Sequence, residues 1–260
     1  LSQIDEAVDA LEGRLEASLA RRGSSRGEGP FKGRKVIGEV FDRVTVHAIH
    51  SMIREGTLGG VNGAVSAGKE SVVFWAKGAG GEDIALKVYL VATAGFRRRA
   101  AYMEGDPRFG RVRGGTRAMV HAWAQKEFRN LWRARSRGVR VPRPIAVSKN
   151  VLAMEFIGER GVPARTLNAT RAGRAEYEEA LAILEALWRE AELVHGDLSG
   201  YNLFFAAGGV MAFDLGSAVD TRHPMALEFL KRDINNVTGL FVRHGLEVEN
   251  PADVLARVTR

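Results

Sequence analysis

The 260-residue chain contains no cysteine. Disulfides, cysteine-ligated zinc and thiol catalysis are thereby excluded. No run of eighteen apolar residues occurs, so no transmembrane helix and no membrane partner are expected. The first residues lack the basic-then-apolar layout of a secretory leader, and a cytoplasmic location is expected. Histidine is sparse: His47, His50, His121, His223 and His244 share no metal-ligand spacing and read as structural or exposed.

What is present is ordinary globular material. Apolar residues make up 45% and charged residues 27%, and the length suffices for one large domain or two small lobes with a real core. Net charge is +7. A basic chain meets polyanions, so nucleic-acid contact is one reading and general solubility charge the other.

Ile4, Val8, Leu11, Leu15 and Leu19 recur at helical spacing, which predicts one amphipathic helix over 1–22. A Gly/Ser/Pro stretch follows, and a second helical pattern runs through Val36–Arg54. Ser71–Ala76 and Ile84–Leu90, joined by the glycine-rich Lys77–Gly81 turn, read as a hairpin. Residues 92–117 hold seven arginines against Glu104 and Asp106, with glycines breaking any period, and read as a mobile basic loop. Thr93, Tyr102 and Thr116 in it are candidate autophosphorylation sites. A helix is expected over Ala118–Arg137, a strand over Val151–Phe156, and helix over about 172–191. Short strands follow at Leu203–Ala206 and Val210–Phe213, then helix from Pro224. Trp75, Trp123, Trp132 and Trp188 read as core residues. The organisation is a helix and linker over 1–35, a β-rich part over 36–153 that includes the basic loop, and a mainly helical part over 154–260.

The strongest chemical signal is His195-Gly196-Asp197-Leu198-Ser199-Gly200-Tyr201-Asn202, between a helix and a strand. Phosphoryl transfer needs a carboxylate to orient the attacking hydroxyl, and oxygen ligands for magnesium. Asp197 with Asn202 five residues later supplies both. Phe213-Asp214-Leu215-Gly216 follows at a strand end, where Asp214 offers a second carboxylate and Gly216 a sharp turn. Each residue alone is an ordinary turn former; the ordered set is specific.

Lys87 alternates with Ile84, Leu86 and Val88 on a strand, where a lysine is often only an edge charge. On the helix from Ala118, Met119, Val120, Trp123, Leu131 and Ala134 make an apolar stripe, and Glu127 falls in its middle. A carboxylate there needs a cation. Lys87 is one candidate and a nearby arginine the other. Ser66-Ala67-Gly68-Lys69-Glu70-Ser71 offers small residues, a hydroxyl and an ammonium to phosphate, without Walker spacing. Met154-Glu155-Phe156-Ile157-Gly158 is placed as a hinge whose backbone can read adenine.

From about Val40 to Gly245 the chain resembles the RIO atypical protein kinases, the first subfamily more than the second. Ser66–Ser71 is similar to the family's phosphate loop, with Ala67 and Ser71 in place of Thr and Ala. His195–Asn202 resembles its catalytic loop, Phe213–Gly216 its metal-binding loop, and His223–Asp233 the first subfamily's end of the kinase core. The second subfamily carries an N-terminal winged helix, for which residues 1–55 are too short.

The resemblance implies an α+β, two-lobed, protein-kinase-like fold with a truncated C-lobe, and an ATP- and magnesium- (or manganese-) dependent serine/threonine kinase or ATPase. Asp197 would be the catalytic carboxylate, and Asn202 and Asp214 the metal ligands. Lys87, paired with Glu127, would hold ATP phosphates. Ser66, Gly68 and Lys69 would line the triphosphate, and Met154, Glu155 and Ile157 the adenine. Asp214 can also be a transient aspartyl phosphate. The implied partner is the maturing small ribosomal subunit, its rRNA and proteins, met in part by the basic loop.

Two departures from conventional kinases stand out. Gly196 replaces the arginine before the catalytic Asp, and no Ala-Pro-Glu segment follows Asp214. Control by activation-loop phosphorylation is therefore not expected. An aminoglycoside- or choline-kinase-like phosphotransferase, and an ATP-switched RNA-binding assembly factor, are the alternative readings.

Overall fold

The computed structural model describes residues 3–25, 42–91, 100–110 and 114–260. The sequence readings at Val36–Phe41, Thr93, Arg97–Arg99, Arg111 and Arg113 lie outside them, as do the side chains of Ile4 and Leu19. The described chain divides into two units. One comprises residues 3–25, 42–91, 114–125 and 144–163, the other 100–110, 126–143 and 164–260.

The first unit is built on an antiparallel five-stranded sheet. Its strands are β1 (Gly60–Ala67), β2 (Ser71–Lys77), β3 (Asp83–Tyr89), β4 (Pro144–Ser148) and β5 (Val151–Glu155), in the order β1-β2-β3-β5-β4. β2 alternates: Val72, Phe74 and Ala76 are buried, while Ser71, Val73, Trp75 and Lys77 are half-covered. β3 is buried at every position from Ile84 to Tyr89, as a central strand must be. Proline begins β4, an edge strand, where a missing N–H costs no ladder bond.

Two helices, α1 (Gln3–Ser25) and α2 (Arg43–Arg54), pack on this sheet. Val8, Leu11 and Leu15 of α1 lie in one core with Val46, Ile49 and Met52 of α2 and with Phe74, Leu86 and Val88 of the sheet. The Ser18 hydroxyl accepts from the Ala64 N–H at 2.7 Å, so a polar contact fixes α1 beside the β1 backbone. Asp42 caps α2 by accepting from the Thr45 N–H at 2.8 Å and pairs with Arg117.

In the second unit, α4 (Arg174–Arg189), α5 (Ala226–Arg243) and α6 (Pro251–Thr259) bury Tyr177, Leu181, Leu184, Leu230, Ile234, Phe241 and Val254. Helix α3 (Thr116–Ser136) starts in the first unit and belongs to the second from Lys126 onward. Short ladders complete the unit, among them Arg165–Thr166 against Phe204–Phe205. Leu193–Val194 pairs with Val219–Asp220, and Leu203–Ala206 pairs with Gly209–Ala212.

The segment read as a basic loop is in part structural. Ala100–Tyr102 forms a helical turn, Met103 and Asp106 are buried, and Thr116 and Arg117 open α3. The physical reason is that Arg108 has an internal partner. It makes two side-chain bonds to the buried Asp106 carboxylate, at 2.9 and 2.6 Å. Tyr102 is stacked on Phe229 at 5.0 Å and accepts from Arg232 at 3.0 Å. Trp132 is not a core residue: it is 62% exposed, on the outer face of α3.

Asn150, buried in the turn between β4 and β5, links helix and sheet. Its amide donates to the Thr45 hydroxyl at 2.9 Å and the Tyr89 carbonyl at 2.8 Å. Asn150→Ala leaves both acceptors buried and is expected to lower the unfolding free energy by about 1–3 kcal/mol. A urea titration of the variant checks this, with the slope unchanged.

Candidate active site

The catalytic-loop residues begin from chain topology. The paired dipeptides Leu193–Val194 and Val219–Asp220 lie at one end of two loops, and the Leu203–Ala206/Gly209–Ala212 hairpin lies at the other. Both loops, 195–202 and 213–218, therefore run between the same two ladders and must lie side by side. Phe213 ties them together. Its N–H donates to the Asn202 carbonyl at 3.0 Å, and its carbonyl is 3.0 Å from His195 Nε2. Asp197, Asn202 and Asp214, three sequence-predicted residues, are thus brought into one loop pair.

Within it, the Asn202 amide nitrogen donates to the Asp197 main-chain oxygen at 2.7 Å. It also lies 3.5 Å from the Asp197 carboxylate. The nitrogen is occupied, so Oδ1 is the end that can meet a cation. Among the described residues no group of three His, Cys, Asp or Glu could hold a metal ion alone. Magnesium does not need one: it takes one or two protein oxygens and fills its shell with water and nucleotide phosphates. The hard-oxygen set of Asn202 and Asp214 fits that chemistry.

Asp214 is left-handed, at φ 62° and ψ 57°. The sequence placed the sharp turn at Gly216, but Gly216 is not among the positive-φ glycines. The strained residue is the carboxylate itself. Gly196 is at φ 78°, and a Cβ there would come 2.8 Å from the Ser217 carbonyl. This is a physical reason why no arginine precedes Asp197: the loop 195–202 passes too close to the loop 213–218 for a side chain at that position.

The loop is held by a residue to which the sequence reading assigned no role. Asp233, fully buried on α5, accepts from the Gly196 N–H at 2.7 Å and the Leu198 N–H at 2.8 Å. Burial is the main influence on its carboxyl and raises it, opposed by these two bonds and by Arg232; the net result is a pKa pushed up to about 7. Arg232, next to it, donates to the Gly196 carbonyl. Asp233 sits in an apolar stripe with Phe229, Leu230, Ile234, Val237 and Leu240. The signal that singled out Glu127 would have found it.

The remaining predicted residues lie in the first unit, except Glu127. Ser66 is the last residue but one of β1, and the Gly68 N–H closes the turn on the Ser71 carbonyl at 2.9 Å, with Lys69 in that turn. Lys87 is 5% exposed on β3, between Val73 of β2 and Leu152 of β5. It is no edge charge but an ammonium inside a sheet, 5.1 Å from the Tyr89 ring centre. Met154 and Glu155 end β5, opposite Ala85 and Ile84, and Ile157 follows. Glu127 is fully buried on the part of α3 that belongs to the second unit.

The sequence profile of the RIO domain matches residues 72–254. The chain belongs to the RIO family. The RIO-type serine/threonine-protein kinase Rio1 of Haloferax volcanii is 43% identical over 217 residues, covering 83% of this chain and 74% of that protein. The Rio1 kinase of Methanocaldococcus jannaschii is 39% identical, covering 80% and 72%. Human serine/threonine-protein kinase RIO1 is 35% identical, covering 87% of this chain and 41% of that protein, so the chain spans less than half of it. Among solved structures, the Rio2 kinase of Chaetomium thermophilum in its ADP/Mg2+-phosphoaspartate complex aligns with a TM-score of 0.63 and 17% identity. That alignment covers 96% of this chain and 88% of that one.

The fold is thus the α+β protein-kinase-like fold, and the RIO chain is an ATP-dependent protein kinase by family. In it, Asp233→Ala leaves the Gly196 and Leu198 N–H groups buried without acceptors, at a cost of about 2–5 kcal/mol. Because the folded carboxyl titrates near 7 and the unfolded one near 3.8, the folded chain holds the extra proton between those values. Stability from this group therefore rises as pH falls through that window. Melting curves of the native chain and Asp233→Asn over the same range should diverge in that direction.

Proposed function

We propose that this RIO chain transfers the γ-phosphoryl group of ATP through the loop pair that Phe213 joins. The observation that carries this reading is the convergence of Asp197, Asn202 and Asp214 on two hydrogen-bonded loops. Asp197 orients the attacking oxygen and takes its proton. Asn202 Oδ1 and the Asp214 carboxylate would hold magnesium, or manganese, which when bound neutralises charge on the phosphates. Lys87 would hold the α- and β-phosphates with Glu127 as its counter-charge, Ser66, Gly68 and Lys69 would line the triphosphate, and the backbone of Met154, Glu155 and Ile157 would meet adenine.

The solved Rio2 kinase complex from Chaetomium thermophilum holds a phosphoaspartate, which supports a second role for Asp214 here. A carboxylate oxygen of Asp214 would attack the γ-phosphorus as the bond to the ADP oxygen breaks. A water, deprotonated by Asp197, would then release phosphate and regenerate the carboxylate. That sequence is ATP hydrolysis; transfer to a serine or threonine hydroxyl is the kinase branch.

Single-turnover reaction with γ-labelled ATP and magnesium tests the assignment. The native chain should retain label or release it as phosphate, and Asp197→Ala and Asp214→Asn should each lower the rate by at least about a hundredfold. Label released by alkali and by neutral hydroxylamine would mark an acyl phosphate, and label that resists hydroxylamine and acid would mark a serine or threonine ester. Native rates in both variants would remove these residues from the chemistry.

The proposed partner is the maturing small ribosomal subunit, supported by the family resemblance and the net charge of +7. Affinity for ribosomal RNA should fall steeply with salt, because phosphate contacts release counterions. Neutralising Arg97, Arg98 and Arg99 should flatten the slope by about one unit per lost contact; an unchanged slope would take them off the RNA surface.

A further inference from the structure

The turn after Asp214 is gripped by side chains from outside it. Of the four carbonyls that follow, those of Leu215, Gly216 and Ala218 accept from buried groups. Lys126 Nζ donates to the Gly216 carbonyl at 2.9 Å and to the Ala218 carbonyl. Asn130 Nδ2 donates to the Leu215 carbonyl at 2.8 Å and to the Ala218 carbonyl at 2.9 Å. Arg108 donates to Asn130 Oδ1 at 2.7 Å, which fixes the amide so that its nitrogen faces the turn. Asp106 holds Arg108 in turn.

Two observations give this grip a purpose beyond packing. Asp214 is left-handed, a conformation that costs a residue with a Cβ some free energy and that the surrounding bonds help to hold. Its side chain makes no capping bond to the turn, and three of the four carbonyls that follow it are held by the donors downstream. Second, Lys126 is completely buried. Burial and the neighbouring Arg108 push its ammonium down to about 7, with Asp106 partly opposing. An apolar residue of this length would fill the space without that penalty.

We infer that Lys126 is a positioning residue for Asp214. With Asn130 and Arg108 it holds the Leu215–Ala218 turn so that the preceding carboxylate is preset for a divalent cation. The inference rests on the assignment of Asp214 as a metal-binding carboxylate. No sequence signal had selected Lys126, which stands beside Glu127 in the same helix turn.

The test is the magnesium dependence of single-turnover ATP cleavage by the full chain. Metal-free ATP binding and thermal unfolding are followed in parallel. Lys126→Met removes the donor and keeps the length; Lys126→Gln keeps an N–H donor without the charge. The expected result is a rise in half-saturating magnesium of about tenfold or more for Lys126→Met, the usual effect of losing a group that orients a metal ligand. Lys126→Gln should show a smaller rise, and metal-free ATP affinity should not change.

Arg108→Ala, which frees the Asn130 amide, should shift magnesium dependence the same way and serves where Lys126→Met fails to fold. Native half-saturation in the folded variants overturns the inference while leaving the Asp214 assignment standing. Native magnesium dependence in Asp214→Asn removes that assignment, and the inference with it.

Discussion

A carboxylate buried in the middle of a helix sets the geometry of the loop 195–202. Asp233 takes two main-chain N–H groups, from Gly196 and Leu198, one on each side of Asp197. A loop otherwise free to choose its turns is thereby pinned at the residues flanking the reactive one. The arrangement is costly, since burial works against the charge that the two donors favour. Gly196 has no side chain because the pinned loop runs beside Ser217.

The loop 213–218 is held by a different device. Its carbonyls are drawn onto an ammonium, an amide and a guanidinium, all of them side chains of α3 or of the segment 100–110. Just beyond it, Asp220 is gripped by Arg222 and Arg133. Burial alone would raise its carboxyl, but these donors hold it far below the usual carboxylate range. Buried charges are expensive unless each is matched. Here main-chain carbonyls meet Lys126, main-chain N–H groups meet Asp233, and arginines meet Asp106 and Asp220.

Much of this was legible in residue order. The β2–β3 hairpin, the long helix, the short hairpin at 203–212 and the two acidic loops stand where periodicity and turn residues placed them. Glu127 was found by its position in an apolar stripe, and the same stripe test applies to Asp233. Other features had no local sign. β4 opens on a proline and carries no burial alternation, so nothing distinguished it from the loop before it. The sequence carries no local sign of the bonds Arg108 makes to Asn130 and to the Ala218 carbonyl. Trp132 read as core because tryptophan usually is; the helix turns it outward.

The sequence by itself determined which chemistry is on hand: no thiol, a carboxylate and an amide five residues apart, a second carboxylate on a strand end, and a lysine flanked by apolar residues. These are properties of residue identity and spacing along one strand or one turn, and they survive any uncertainty about folding. Tertiary structure alone decided that Lys87 belongs to a central strand, that Asp214 rather than Gly216 carries the backbone strain, and that Lys126, Asn130 and Arg108 hold the turn beyond it. The last of these depends on hydrogen bonds between residues from 22 to 110 positions apart. Such bonds leave no trace in local pattern, because polar side chains and main-chain carbonyls pair by position in space and impose no period on the chain.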